Sequence, residues 1–138
     1  MNTIPSVGIL IIKDNKVLLV RHEEKASHLT GTYGLPSGRL ENYETPNQAA
    51  VRELREETGL VATEADLVNY PNNRFVAEIK RKDGSTQRFD WKVFVCKKYS
   101  GQLHPSEEVT PEWVEIGRLK DYNLLPNVLE VVELELKW

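Results

Sequence analysis

The segment from Thr45 to Gly59 constrains the fold most, because the sequence marks both of its ends as helix boundaries. Thr45 is a favourable N-cap residue, Pro46 suits the first helical turn, and Gln48 completes a capping-box pattern. Gly59 stands where helices commonly end in a left-handed residue. The sequence therefore predicts an α-helix from about Pro46 to Thr58.

Two pairs of apolar segments are typical of β-hairpins. The predicted strands are Val7–Ile12 with Val17–Val20, and Phe75–Lys80 with Arg88–Val95. Asp14-Asn15 separates the first pair, and both residue types tolerate tight-turn backbone angles. Asp83-Gly84 separates the second pair, and alternation around Asp-Gly is a strong short-range hairpin signal.

The C-terminal part of the chain adds one strand and one helix to the prediction. Trp113–Ile116 is a candidate short strand, and a helix is expected to start near Pro126. Val128, Val131 and Val132 form an apolar stripe along that helix. Helices mixed with antiparallel hairpins indicate an α+β or mixed α/β sandwich, and we expect residues 1–138 to form a single domain.

Composition and charge narrow the functional classes. The 138 residues are 40% hydrophobic and 28% charged, as in ordinary globular domains, and the net charge of -3 disfavours a general nucleic-acid binder. Cys96 is the only cysteine, so no intramolecular disulfide can form. The apolar run Gly8–Ile12 is too short to span a membrane. We expect a cytoplasmic protein with neither a nucleic-acid nor a membrane partner.

Three glutamates are grouped on the predicted helix. Glu56 and Glu57 lie three and four positions after Glu53, so the three carboxylates share one helical face. Like charges there repel, and the helix macrodipole at the C-terminal end adds to the penalty. A bound divalent cation would reverse both effects. Taken alone, however, the spacing is more typical of a solvent-exposed acidic face whose negative charge is balanced by Arg52 and Arg55.

The residues before and within this helix favour a metal site. Gly38 is followed after five residues by Glu44, and after seven more by the run Arg52–Leu60. This pattern resembles the Nudix box, in which the last part reads Arg-Glu-apolar-x-Glu-Glu-x-Gly-apolar. Every fixed position is met over 23 of the 138 residues. The resemblance implies a Nudix-type α/β/α sandwich with a mixed, largely antiparallel sheet.

The lead-in Tyr33–Gly38 also resembles the family pattern, with two departures. Ser37 stands where the family usually has glycine, and Tyr33 stands where it often has tryptophan. A serine there restrains the loop and adds a hydroxyl, and we expect activity to survive because the downstream carboxylates are intact. Glu41 falls where many family members carry an additional acid.

The resemblance implies that Glu53, Glu56 and Glu57 hold a metal ion, together with the backbone carbonyl of Gly38. Oxygen ligands suit Mg²⁺, with Mn²⁺ as the alternative. Such an ion neutralises charge on phosphate oxygens and activates a water molecule, while a carboxylate serves as general base. We therefore expect these three glutamates to be catalytic, and the number of metal ions stays open.

The same resemblance assigns structural roles within the box. Arg52 is expected to pair with Glu44 and so fix the loop against the helix. Leu54 is expected to point into the core with Ala50 and Val51, which places the glutamates on the opposite face.

Outside the box the candidates are weaker. A later loop supplies Glu107, Glu108 and Glu112, of which we favour Glu108 as an additional catalytic carboxylate, although loop acids are more often solvent-exposed. Arg21 and Arg39 are candidate ligands of substrate phosphate, and a plain surface charge is the competing interpretation of each.

The aromatic residues and histidines give little direction. Tyr33 and Phe75 are candidates for stacking on a base, although a core or rim position is the more common role of such residues. No spacing links the histidines to a zinc site or a catalytic dyad, and we assign no function to His22, His28 and His104.

The function that the resemblance implies is Mg²⁺-dependent hydrolysis of a pyrophosphate bond in a small-molecule nucleotide. The substrates it suggests are nucleoside triphosphates, including oxidised ones, ADP-ribose and dinucleoside polyphosphates. The alternatives are a Nudix-like module that senses a nucleotide without cutting it, and an enzyme acting on RNA ends. We expect Glu23–Thr32 and Val68–Arg74 to set the substrate, and a homodimer is left open.

Overall fold

The computed structural model describes residues 2–69 and 73–137, and within these ranges it contains nine strands and two α-helices. The strands are β1 (Thr3–Leu10), β2 (Ile12–Lys13), β3 (Lys16–His22), β4 (Tyr33–Gly34), β5 (Ser37–Arg39), β6 (Leu67–Val68), β7 (Arg74–Lys80), β8 (Thr86–Cys96) and β9 (Val109–Glu115). The helices are α1 (Pro46–Thr58) and α2 (Val128–Lys137), and short 3₁₀ segments span Glu64–Asp66 and Ile116–Asp121.

Helix α1 has the boundaries that its capping residues predict. The Gln48 N–H donates to the Thr45 hydroxyl (3.2 Å), and the Thr45 N–H donates to the Gln48 side chain (3.0 Å). Gly59 ends the helix with a φ of 85°, and its N–H donates to the Arg55 carbonyl. A β-carbon on Gly59 would also approach the Gln102 carbonyl oxygen at 2.6 Å, so the cap requires glycine for space as well as conformation.

The first sheet has five strands and contains the predicted second hairpin. Its order is β5-β1-β8-β6, and β7 also pairs with β8. Strands β7 and β8 are antiparallel around Asp83-Gly84, as predicted, with Gly84 at a φ of 87°. Strand β1 runs parallel to β8, from Thr3 opposite Arg88 to Leu10 opposite Val95. This parallel pair makes the sheet mixed.

The second sheet is antiparallel and corrects the first predicted hairpin. Strand β3 pairs with β2, β4 and β9, and the turn residues Asp14 and Asn15 both have positive φ, of 52° and 64°. The predicted strand Val7–Ile12 is divided, because β1 ends at Leu10 and only Ile12–Lys13 pairs with β3. The apolar run continues through the crossing point at Ile11, so no polar residue marks where the chain changes sheets.

The last strand is longer than predicted. Strand β9 begins at Val109 rather than Trp113, and Ile116 belongs to the following 3₁₀ segment. All seven of its residues pair with β3. Pro111 lies within this strand and obscures it in the sequence, because proline cannot donate a ladder hydrogen bond.

Alternate residues of the strands feed two cores on opposite sides of the sheets. On one side Val7, Ile9 and Phe94 pack with α1 residues, and on the other side Leu10 and Val93 pack with α2. Two helical layers with strands between them form an α/β/α sandwich, which confirms the predicted mixed fold class. Within the described ranges, neither helix is long and apolar enough to cross a membrane.

The buried face of α1 differs from the prediction at one position. Ala50 and Leu54 are fully buried as expected, but Val51 is only half-buried and Ala49 takes the third core position. Positions 49, 50 and 54 lie on one side of a helix with 3.6 residues per turn, and position 51 is rotated away from it. Around the helix axis Glu53 and Glu57 fall between Ala49 and Ala50 and are half-buried. These two glutamates therefore lie beside the core rather than on the expected opposite face, whereas Glu56 is exposed.

Candidate active site

The box glycine makes room for the first glutamate of the site. Strand β5 pairs with β1 and brings Gly38 beside helix α1. A β-carbon on Gly38 would overlap the Glu53 carboxylate, whose side chain is only 13% exposed. Glycine is therefore required at this position because the Glu53 carboxylate approaches its α-carbon closely, and not because of its backbone conformation.

Glu57 is held by the neighbouring strand residue. The Ser37 N–H donates to Glu57 Oε1 at 2.8 Å. Because this bond uses the backbone N–H, the replacement of the usual family glycine by Ser37 leaves it intact.

Burial and mutual repulsion raise the pKa of two of the box carboxyls. Burial, together with the charges of Glu56 and Glu44, raises the pKa of Glu53 to about 7, although Arg52 opposes the shift. Burial and the charges of Glu53, Glu108 and Glu56 raise the pKa of Glu57 well above its ordinary value. The ionised forms of these carboxyls are therefore unfavourable when no cation is present. A bound divalent cation would offset both the desolvation and the repulsion between like charges.

Arg52 organises the acidic cluster as the resemblance implied. Its guanidinium donates to both carboxylate oxygens of Glu44, at 2.7 and 2.9 Å. It also donates to Glu53 at 2.6 Å, to Glu56 at 3.1 Å and to the Arg39 carbonyl at 3.0 Å. These hydrogen bonds lower the pKa of Glu44 to about 2 and raise that of Arg52. The loop before α1 is thereby tied to the helix.

The donor set of the site fits a hard divalent cation. The side chains of Glu53, Glu56 and Glu57 offer only carboxylate oxygens, which are the ligands that Mg²⁺ and Mn²⁺ prefer. As these side chains stand, no three acidic, histidine or cysteine residues of ranges 2–69 and 73–137 are grouped closely enough to hold an ion. Arg52 instead neutralises Glu53 and Glu56, so an arriving cation competes with its guanidinium for their oxygens.

A cavity of about 240 Å³ lies beside the carboxylates. Glu53, Glu57 and Glu108 line its acidic end. Its apolar wall includes Leu35, Ala77, Ile79, Trp91, Leu125 and Val128, and its other polar lining includes His22, His28, Arg39 and Arg81. A cavity with an apolar wall and a few convergent charged groups is typical of small-molecule sites.

Two uncharged histidines lie together in this cavity. The rings of His22 and His28 meet edge to face at 4.7 Å. His22 Nδ1 donates to the Thr32 carbonyl (2.9 Å), so its Nε2 is the acceptor in the neutral ring. Burial lowers the pKa of both residues, that of His28 to about 4. His28 Nδ1 and Trp91 Nε1 are buried and have no hydrogen-bond partner in the described part of the chain.

The structure separates the predicted candidates outside the box. Glu108 lines the cavity. Glu107 does not line it and instead forms an ion pair with Lys25 at 3.7 Å, and Glu112 lies in β9. Arg39 lines the cavity, but Arg21 is paired with Glu23 at 2.8 Å and does not.

The two aromatic candidates lie outside the cavity lining. Phe75 is buried in the core with its ring centroid 5.7 Å from that of Trp91, and Tyr33 packs edge to face on Tyr122 at 4.9 Å. The predicted loop Val68–Arg74 includes residues 70–72, which lie outside the described residues.

The cavity residues that the sequence did not indicate as functional include His22, His28, Arg81 and Trp91. The alternation of β8 indicated that Trp91 shares a face with Phe89 and Val93, but not that this face borders a cavity. His28 and Arg81 meet through an isolated antiparallel bridge between distant segments, and no local pattern signals such a contact.

Comparisons with known proteins agree with the box and the fold. The family model of the NUDIX domain matches residues 2–133. Nudix hydrolase 25 of Arabidopsis thaliana is 30% identical over 97% of this chain and 70% of that protein. The 8-oxo-dGTP diphosphatase of Proteus vulgaris is 39% identical over 46% of this chain and 56% of that protein. The solution structure of the E. coli ORF135 protein, 26% identical, has a TM-score of 0.74 and covers 99% of this chain and 91% of that one.

This chain belongs to the Nudix family, because the family model matches nearly its whole length. The predicted enzyme class, a Nudix pyrophosphohydrolase, is confirmed with it. The match to the Proteus vulgaris protein spans little more than half of that relative's own length, so it does not by itself identify the substrate of this chain.

Proposed function

We propose that this enzyme cleaves a pyrophosphate bond in a nucleoside triphosphate with the help of Mg²⁺. The observation that carries the proposal is the pair of half-buried carboxylates with raised pKa, Glu53 and Glu57, at the end of a cavity of about 240 Å³. Diphosphatase activity towards 8-oxo-dGTP in the name of the Proteus vulgaris relative supports this substrate class.

Glu53, Glu56, Glu57 and the carbonyl of Gly38 would hold the cation. When bound, it supplies charge neutralisation at the phosphate oxygens and lowers the pKa of a bound water. Arg52 positions the loop through Glu44 and is not itself a ligand. The substrate's base would lie against the apolar wall that includes Trp91.

Glu108 is our candidate for the general base. It lines the cavity, its carboxylate forms no ion pair with the described residues, and its charge contributes to the raised pKa of Glu57. A carboxylate in that position can accept the proton of the attacking water. Cytoplasmic location and homodimer formation stay predictions from the sequence.

Replacing both Glu56 and Glu57 with Gln tests the proposal. With Mg²⁺ and a panel of nucleotides, we expect the wild-type enzyme to release phosphorylated products and the double variant to lose at least about a hundredfold in kcat/KM, because metal binding is lost. Circular dichroism should show the same fold in both.

The matched control changes two exposed glutamates of α2, Glu130→Gln with Glu133→Gln, which alters the net charge by the same amount at positions that do not line the cavity. This control should keep wild-type activity. Near-wild-type turnover by the Glu56/Glu57 variant would refute the metal role, and a wild-type enzyme that binds nucleotides without turnover would favour the sensor alternative.

A further inference from the structure

A second cavity adjoins the first and shares its basic residues. It has a volume of about 230 Å³ and is lined by Ser27, Arg39, Arg81, Lys82, Asp83, Ser85 and Gln87. Three of these, Ser27, Arg39 and Arg81, also line the cavity at the box carboxylates. The two arginines therefore stand where the acidic cavity passes into a basic one.

Neither arginine forms an ion pair with a carboxylate in the described part of the chain. Ion pairs with carboxylates involve Arg21, Arg52, Arg74, Arg88 and Arg118. Arg39 and Arg81 have no such partner among residues 2–69 and 73–137, and the similarly unpaired Arg55 lines neither cavity.

Arg81 is held in place by neutral groups only. Its Nε donates to the Ser27 carbonyl at 3.3 Å, and its guanidinium lies 5.6 Å from the centre of the Phe89 ring. Both contacts orient the side chain without supplying a negative charge. The remaining N–H groups of the guanidinium make no hydrogen bond within the described chain.

The charges around the second cavity do not balance. Burial and the nearby charge of Arg39 lower the pKa of Arg81. Among residues 2–69 and 73–137, Asp83 is the one carboxylate that lines this cavity, and its charge opposes the lowering of the Arg81 pKa. Its oxygen already accepts from the Ser85 N–H (2.9 Å) and hydroxyl (2.6 Å). Lys82 adds a third cation, whose ammonium group donates to the carbonyls of Glu23 and Glu24. Arg39 and Lys82 are exposed and Arg81 is half-buried, so the site is open to solvent, and its local excess of positive charge attracts anions.

We propose that Arg39 and Arg81 form an anion subsite. It would bind the substrate phosphates beyond the one bound at the box carboxylates, and it thereby selects nucleoside triphosphates or longer polyphosphates over ADP-ribose. Two guanidinium groups match phosphate oxygens in both charge and geometry. The two phosphates of ADP-ribose are flanked by a nucleoside and a sugar, so ADP-ribose has no terminal phosphate to offer. This substrate class rests on the proposed function, whereas the anion subsite does not.

A binding experiment without metal isolates the subsite. Inorganic tripolyphosphate is titrated in EDTA into the wild-type protein and into the variants Arg39→Gln, Arg81→Gln and Arg88→Gln, by calorimetry. Arg88 is the matched control, because it lies on the same hairpin but is paired with Glu78 at 2.8 Å. We expect the Arg39 and Arg81 variants to bind roughly tenfold more weakly than wild type and the Arg88 variant to bind equally. Equal binding by all four proteins would overturn the subsite.

Kinetics with Mg²⁺ then test the substrate class. We expect Arg81→Gln to raise the KM for nucleoside triphosphates about tenfold with little change in kcat, Arg81→Lys to restore part of the loss, and wild-type turnover of ADP-ribose to be slow. Efficient ADP-ribose hydrolysis that is insensitive to both arginines would refute the selection. If no nucleotide is hydrolysed but tripolyphosphate binding still depends on Arg39 and Arg81, the proposed function fails and the anion subsite stands.

Discussion

At the scale of single residues, the site depends on the missing side chain of Gly38 as well as on the carboxylates themselves. The carboxylate of Glu53 fills the space beside the α-carbon of Gly38, where any other residue would carry a β-carbon. Glu53 is also bonded to Arg52 at 2.6 Å, so it cannot move without disturbing the rest of the cluster. The glycine and glutamate of the box are thus one packing unit, although fifteen positions separate them in the sequence.

Replacing Gly38 with Ala should displace the Glu53 carboxylate. We expect the variant to remain folded, to bind Mg²⁺ at least about tenfold more weakly and to lose kcat/KM, because the ligand geometry is disturbed. Isothermal titration with Mg²⁺ and steady-state kinetics measure the two effects. Gly117→Ala is the control, since a β-carbon there meets no atom within 4 Å. An unchanged Mg²⁺ affinity in Gly38→Ala would contradict this account.

Tyr43 occupies a position that suits glycine. Its φ is 67°, and its side chain is fully exposed, so no packing offsets the left-handed conformation. Tyr43→Gly should raise the free energy of unfolding by about 0.5–1 kcal/mol, because the relieved strain exceeds the added entropy of the unfolded chain. Urea denaturation measures the change. Asn15→Gly, at a φ of 64°, is the control with little expected effect, since asparagine tolerates this region. A less stable Tyr43→Gly variant would show that no strain is stored there.

At the scale of secondary-structure elements, α1 combines a stability function with a positioning function. Its N-terminal cap, Thr45 with Gln48, is local and exposed. Its bidentate pair, Arg52 with Glu44, joins the helix to the loop that follows Gly38. Loss of the Thr45 cap should therefore lower only the stability of the helix. Loss of the pair between Arg52 and Glu44 should lower the affinity of the metal site as well.

Two substitutions on α1 separate these functions. Arg52→Lys should cost about 1–3 kcal/mol of stability, because an ammonium group cannot reproduce the bidentate pair with Glu44. We also expect it to lower Mg²⁺ affinity, because the lost positioning of the loop outweighs the weaker competition of lysine for the oxygens of Glu53 and Glu56. Thr45→Ala should cost about 1 kcal/mol through loss of the cap and leave the affinity unchanged. Thermal unfolding and Mg²⁺ titration give both quantities. Equal losses of affinity in the two variants would mean that helix stability alone controls the site.

At the scale of the whole molecule, distant segments meet in the cavity and create a dependence of stability on pH. His28 has a pKa of about 4 in the folded protein, against an ordinary value of 6.5. The unfolded chain therefore binds more protons between these two values, so the free energy of unfolding decreases as pH falls through this window. The raised pKa of Glu53, about 7, has the opposite effect and is common to every variant compared below.

Urea unfolding at pH 7.5 and pH 5 in EDTA tests this dependence. We expect wild type to lose up to about 2 kcal/mol more stability than His28→Gln between the two pH values, because the variant has no His28 to protonate. His104→Gln, which changes an exposed histidine outside the cavity, should keep the wild-type loss. Identical losses in wild type and His28→Gln would contradict the prediction.

The sequence by itself determined the features that depend on neighbouring residues. The bounds of α1 follow from Thr45 and Gly59, because capping is complete within one helical turn. The β7–β8 hairpin follows from Asp83-Gly84 for the same reason. The spacing of the box residues was enough to indicate the family and the carboxylates of the candidate site, because all box residues lie on one loop and one helix.

Only the tertiary structure decided which distant segments meet. Strand β1 pairs with β8 rather than with β3, because both of its faces are apolar and serve two cores, so its residue pattern does not specify the partner. The packing of the loop Glu23–Thr32 on the β7–β8 hairpin brings His28 beside both His22 and Arg81. The pairing of β5 with β1 places Arg39 at the same cavity. Local chemistry therefore determined the box carboxylates, whereas long-range packing created the cavity and the basic subsite proposed beside them.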